Sequence, residues 1–203
     1  MDAIADLESL HAHFGATSTM SAQKVMPRLD RYSRAFIALS PFLVLATADG
    51  DGGVDASPRG DAPGFVAMPD DTTLIVPDRP GNRRVDSFAN VIRHPGIGLI
   101  FFVPGFDETL RVNGTGRLVT DPALLAPLEA QGKIPATGLL VSITEVFFHC
   151  GKALIRSKLW DPSRHVPRDS FPSLGQIVAE QTAVMSAEAA DQLLAASYRD
   201  RLY

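Results

Sequence analysis

The stretch Val76-Pro-Asp-Arg-Pro-Gly-Asn-Arg-Arg-Val-Asp-Ser87 gathers Arg79, Arg83 and Arg84 around a turn at Pro80-Gly81. It leaves a strand-like run and enters an expected helix from Asn82 to Arg93, where Val85, Phe88, Ala89 and Ile92 recur at helical spacing. A helix N-terminus offers free backbone N–H groups and a positive partial charge. Three guanidinium groups there repel one another and oppose the dipole, so a bound anion relieves a real cost. Phosphate suits that position, because Arg can hold it bidentately. The plainer alternative is that Asn82 caps the helix and the arginines stand in solvent, paired to Asp78 and Asp86.

A second group is Asp55-Ala-Ser-Pro-Arg-Gly60. Pro58 removes a backbone donor and marks a strand edge, and Ser57 and Arg59 could touch a planar polar ligand there. On the residues alone, a strand end with a surface Arg is the better reading. A third group is Phe147-Phe-His-Cys-Gly-Lys-Ala-Leu-Ile-Arg-Ser-Lys-Leu-Trp160. Here Lys152, Arg156 and Trp160 recur every four residues, one helical face of two cations and a ring. Such a face could hold an anion and cover a flat ring; an amphipathic helix with Trp160 in the core is the plainer form.

His149 beside Cys150 cannot easily chelate one ion, because adjacent strand residues point to opposite faces. With a single cysteine, a zinc site is not expected and Cys150 reads as an inert buried thiol. No intramolecular disulfide can form, which fits a reducing compartment. Gly50-Asp-Gly-Gly lacks the Lys-Ser/Thr of a P-loop. Neither Gly-x-Gly-x-x-Gly opening a helix nor a Gly-x-Ser-x-Gly elbow occurs. Asn113-Gly-Thr-Gly lies inside a strand pattern and reads as a bulge or a close packing contact. The net charge of −4 argues against nucleic acid as a partner. The acidic N-terminus is no secretory signal, and no run is long enough to span a bilayer. A cytoplasmic protein without a membrane partner is expected.

The elements that must position these groups fall into three zones of the 203 residues. Residues 1–40 read as a helical extension, with Asp2 capping a helix that carries Ile4, Leu7 and Leu10. A second helix carries Tyr32, Phe36, Ile37 and Leu39 and ends before Pro41. Residues 41–160 are strand-rich. Phe42–Ala48 runs into the glycines of Asp49–Gly53 and returns at Val54, a hairpin. Phe65–Met68, Thr73–Val76, Ile97–Val103, Thr109–Val119 and Leu139–His149 read as further strands, and Asp121-Pro122 opens a short helix. Residues 161–203 read as an arm and helices packing on the barrel, the last helix capped by Ser186. The expected fold is mainly β with flanking helices, a six-stranded antiparallel barrel.

Taken together, these blocks resemble the pyridoxamine 5′-phosphate oxidase-like flavin-binding split-barrel superfamily, closest to a branch of FMN-dependent proteins. The blocks that carry the likeness are Phe42–Ala48, Val54-Asp-Ala-Ser-Pro-Arg-Gly-Asp61, Leu74-Ile-Val-Pro-Asp-Arg-Pro-Gly-Asn82, Leu110-Arg-Val-Asn-Gly114 and His149–Trp160. The resemblance implies a six-stranded split barrel that forms a homodimer with two FMN sites at its interface. It implies that Ser57 and Arg59 line the ribityl and ring region, and that Pro77 and Asp78 approach the ring edge through their backbone. Arg79, Asn82, Arg83 and Arg84 would surround the phosphate. Lys152 and Arg156 would reach the cofactor, from one subunit or the other. The Arg and His that a true pyridoxamine phosphate oxidase carries close together near its C-terminus are missing; Arg164-His165 comes nearest, in a different context. Vitamin B6 oxidation is therefore disfavoured.

The expected function is an FMN-dependent oxidoreductase that passes hydride between flavin and a small-molecule substrate. Arg59 is the candidate cation for the flavin's pyrimidine edge, and no side chain stands out as a catalytic acid or base. The alternative is a non-catalytic flavin-binding protein for storage or redox sensing.

Overall fold

The computed structural model describes residues 3–203, so the expected cap at Asp2 lies outside the described residues. The N-terminal arm carries α1 (Leu7–Phe14), capped by Asp6, and α2 (Thr19–Gln23), capped by Ser18. The arm then adds to the sheet edge, where Met26 and Val146 exchange backbone hydrogen bonds of 2.9 and 2.7 Å. Next comes α3 (Arg31–Leu39), with a capping box between Asp30 and Ser33; Phe36 and Ile37 face the core, and the helix stops before Pro41 as expected.

Six antiparallel strands follow: β1 (Phe42–Ala48), β2 (Val54–Gly60), β3 (Thr73–Pro77), β4 (Gly96–Phe102), β5 (Thr109–Val119) and β6 (Gly138–His149). Their order is β2-β1-β4-β5-β6-β3, so β2 and β3 are the edges, and no ladder joins them. The sheet nevertheless curls back on itself. The row that starts at Arg59 runs through Leu43, Phe101 and Leu110 to Phe148 on β6. Pro77 on β3, however, lies opposite Gly138, ten residues earlier on β6 (148 minus 138). Asp78, next to Pro77, touches Arg59. That stagger between rows is what tilted strands produce as a sheet wraps toward a barrel. The architecture is a split barrel whose seam lies between β2 and β3.

A bulge makes the wrapping of β6 possible. Asn113 pairs with Glu145 and Gly114 with Ile143, so Thr144 is the extra residue. It shifts the inward parity from Leu139, Val141 and Ile143 to Val146 and Phe148, all of which reach one core. Glycine is required opposite it: a Cβ on Gly114 would stand 2.1 Å from the Ser142 carbonyl oxygen.

The main core fills the inside of the curl with Leu43, Leu45, Leu99, Phe101, Leu110 and Val141, closed by Phe36, Ile37, Phe88 and Val91 from helices. A smaller core, with Ile75, Val119, Leu125, Leu128 and Leu140, lies outside β3 and β6. It sits beneath α5 (Pro122–Leu125), whose Asp121 cap accepts the Ala123 N–H. After β6 come α6 (Lys152–Ser157), α7 (Leu174–Thr182) and α8 (Ala187–Asp200), the last capped by Ser186. The last two pack on each other, with Asp191 accepting from Ser173 Oγ and the Gly175 N–H. No helix among the described residues is long and apolar enough to cross a membrane.

Phe65–Met68, expected as a strand, is not one. Ala67 makes a single bridge to Ile75 while Phe65 and Val66 drop into the core. Pro63-Gly64 before it and Pro69 after it leave no room for a longer ladder.

Candidate functional site

Three elements converge at the seam: the inward side of β2, the segment that leaves β3, and α4 (Asp86–Arg93). On β2 the usual alternation is reversed. Asp55, Ser57 and Arg59 turn toward α4, while Val54, Ala56 and Pro58 face outward. Ser87, buried in the first turn of α4, donates from Oγ to Asp55 Oδ2 at 2.6 Å and accepts from Arg59 Nη2 at 3.4 Å. Arg59 Nη1 stands 3.5 Å from Asp78 Oδ1, and its guanidinium lies 5.3 Å from the centroid of Phe88. One cation is thus fixed by groups from β2, α4 and the end of β3. Burial raises the pKa of Asp78, and Arg59 only partly offsets that. The Ser57 hydroxyl has no hydrogen-bond partner among the described residues.

The sequence-predicted phosphate group is split by the fold. Arg79 turns inward: Nε donates to Asp61 Oδ2 at 2.7 Å and Nη2 to the Leu128 carbonyl at 2.9 Å. Its side chain and that of Asp61 are 17% and 4% exposed, so this pair belongs to the protein's interior. Arg83 and Arg84 stay outside. Arg84 pairs with Asp86 at 2.9 Å with both side chains exposed, as the plainer reading had it.

The helix start is corrected. The segment 82–85 is a loop, and α4 begins at Asp86. Asn82 Oδ1 accepts the Arg84 N–H at 3.0 Å, so Asn82 orders the loop instead of capping the helix. Arg83 adopts φ +61°, left-handed backbone that no helix tolerates and that a non-glycine residue enters at a cost. Val85 takes the cap position and supplies no side-chain hydrogen bond. The first N–H groups of α4 therefore lack a side-chain cap, beside two exposed guanidinium groups. Pro77 is buried, and the Asp78 N–H already donates to the Thr137 carbonyl at 2.9 Å. An approach to Asp78 would meet its carbonyl and carboxylate.

Lys152 and Arg156 are exposed on α6, and no hydrogen bond or ion pair joins them to the seam among the described residues. They follow the end of β6, which lies four strands from Arg59 along one row of the sheet. The helical face expected to reach Trp160 stops short, because Lys158 turns left-handed at φ +51°. The Trp160 indole instead donates to the Phe106 carbonyl at 2.8 Å. Cys150, expected to be buried, is exposed, because the β5–β6 ladder ends one residue earlier at Thr109–His149. Burial lowers the pKa of His149, helped by Arg111 and Lys24.

The residues that sequence reasoning missed are Asp55, Ser87, Asp61, Lys133 and Tyr203. Tyr203 donates to Asp61 Oδ1 at 2.6 Å, and Lys133 Nζ donates to the Tyr203 carbonyl at 2.8 Å. A cavity of about 280 Å³ opens there, against Asp78, Arg79, Pro80, Ile134 and Pro135. Asp61 stands inside the quoted Ser-Pro-Arg-Gly-Asp block, but nothing local signals a partner 142 positions away.

A split barrel with a cationic, uncapped helix start at its seam defines the structural class. Residues 29–150, well over half of the chain, match the family model described as pyridoxamine 5′-phosphate oxidase. The chain belongs to that family. A search of curated proteins finds no match. Among solved structures, the chain is similar to a putative pyridoxamine 5′-phosphate oxidase from Lactobacillus delbrueckii. The two share 21% identity over 60% of this chain and 95% of that one, with a TM-score of 0.46. It is also similar to an FMN-binding protein from Syntrophomonas wolfei, at 15% identity over 70% and 95% of the two chains and a TM-score of 0.48. HupZ of Group A Streptococcus matches at 18% identity over 59% and 93%, with a TM-score of 0.49.

Proposed function

We propose that the seam between β2 and β3 binds FMN, and that the protein is an FMN-dependent oxidoreductase that works as a homodimer. The observation that carries this reading is the uncapped start of α4 beside Arg83 and Arg84. Unsatisfied N–H groups, dipole and guanidinium pairs together match a phosphate dianion. The donor set suits the rest of the cofactor as well. Ser57 offers a hydroxyl for the ribityl chain, and Arg59 offers a cation for the ring's pyrimidine edge. Family membership supports a flavin in place of another phosphate ester.

When bound, FMN supplies the redox chemistry. The chain's residues bind and orient it. Arg59 is held against Asp78 and Ser87 before any ligand arrives, so its charge needs little reorganisation. The cavity beside Asp78 would give a small substrate room beside the bound cofactor. Its walls at Pro80, Ile134 and Pro135 are apolar.

The homodimer is supported by the outward side of β2, β1 and β4. Val54, Ala56, Pro58, Phe42, Val44, Ile100 and Phe102 form neighbouring apolar rows. Val54 is 84% exposed, and the helix that packs on β1 and β2, α4, contributes to the core on the other face. A continuous apolar sheet face of this kind suits a protein partner. A second copy could also bring Lys152 and Arg156 to a seam that their own chain holds at a distance.

The test is an absorption spectrum of the purified protein, then acid release and identification of the chromophore. Released FMN, much weakened in Arg84→Ala, is the expected result. Colourless protein that takes up no added FMN would overturn the cofactor. A flavoprotein whose flavin no nicotinamide donor reduces would favour the storage or sensing alternative over the oxidoreductase.

A further inference from the structure

We propose that Tyr203 is a positioning residue for the loop 79–84, acting through Asp61 and Arg79; this rests on the FMN reading of the seam. The loop has no regular structure. Among the described residues its one side-chain anchor into the interior is Arg79, held by Asp61 and the Leu128 carbonyl. Asp61 has two carboxylate oxygens. Oδ2 serves Arg79, and Oδ1 takes the Tyr203 hydroxyl at 2.6 Å. The Tyr203 ring also lies 5.7 Å from the Arg79 guanidinium carbon, on the same pair from a second direction.

Tyr203 is itself tethered. Lys133, from the loop before β6, donates to its carbonyl at 2.8 Å. The residues after α8 are thus held through both the hydroxyl and the backbone carbonyl of Tyr203, while α7 and α8 pack mainly on each other. The docked ring is one wall of the cavity beside Asp78. The arrangement makes the C-terminal arm a strap. Docked, it fixes the Asp61 carboxylate, which fixes Arg79, which sets the path of the chain into Asn82, Arg83 and Arg84. Released, it leaves Asp61 one partner short and opens the cavity wall.

The test uses the full chain, Tyr203→Phe, a chain ending at Asp200, and Tyr198→Phe as an exposed control. Cofactor-free protein is followed by hydrogen exchange, and FMN-loaded protein by the rate of FMN release into excess apoflavodoxin-type scavenger. Tyr203→Phe should release FMN about 10-fold faster, the loss of one charge-assisted hydrogen bond. The shortened chain should release it at least as fast. Exchange should quicken at 79–84 and not in β1, β4 or β5. In an Arg79→Met background, Tyr203→Phe should add no further effect on release, which a merely structural role would not produce. Wild-type release and wild-type exchange at 79–84 in both Tyr203→Phe and the shortened chain would overturn the strap. If the wild-type chain takes up no FMN, the cofactor reading fails, and exchange in the cofactor-free protein still decides the strap.

Discussion

Arg79 and Arg84 stand on one loop, five positions apart, and look alike in the sequence. The fold gives them opposite fates. Arg79 is sunk against a carboxylate that is 4% exposed, and two residues from distant parts of the chain, Leu128 and Tyr203, converge on that pair. Arg84 meets Asp86 on the surface, with side chains 76% and 52% exposed. An ion pair taken out of water is costly to break, because one partner is left as an uncompensated charge. A surface pair is weak and can give way to a ligand. The difference teaches that a cluster of arginines is not one site. Part of it fastens the loop, and part remains available to an anion.

The contrast can be broken most severely from the buried side. Asp61→Ala should cost about 3 kcal/mol of stability in urea unfolding, since it strands Arg79 inside. Next in size is the available side. Arg83→Ala combined with Arg84→Ala should raise the Kd for FMN about 100-fold in a flavin-fluorescence titration, at nearly unchanged stability.

Acid should sharpen the same contrast. Burial raises the pKa of Asp61, but the Tyr203 hydroxyl, the Ala62 N–H and Arg79 outweigh it and hold the group below its ordinary 3.8. The unfolded chain therefore binds this proton first, and the pair's contribution, whole above that ordinary value, fades as pH falls through the lowered one. Thermal midpoints of wild type should drop more steeply than those of Asp61→Asn across that acid range. The smallest effect belongs to the surface. Asp86→Ala should change stability by no more than about 0.5 kcal/mol in the same urea experiment.

Much of the fold was legible in the sequence. The hairpin at Asp49–Gly53, the caps at Asp121 and Ser186, the end of α3 before Pro41 and the bulge at Asn113-Gly114 were each written in local chemistry. Phe65–Met68 misled, because apolar content was legible and the missing strand partner was not. The helix expected from Asn82 failed at one left-handed residue, Arg83, across which the Arg84 N–H donates to Asn82 Oδ1 and overrides helical periodicity. In the candidate site, Ser57, Arg59 and Asp78 could be named from their blocks. The commitment of Arg79 could not be, because it depends on Asp61, Leu128 and Tyr203, which only the fold brings together.

The bulge at Thr144 makes the curvature of β6 depend on a single residue. Removing that single residue would restore a regular ladder with Leu139, Val141, Ile143, Val146 and Phe148 still alternating toward the core, and would straighten the bend that wraps β6. Several residues added to the Asp49–Gly53 turn would disturb no parity at all. Insertions and deletions should therefore be tolerated by where they fall, more than by how many residues they change.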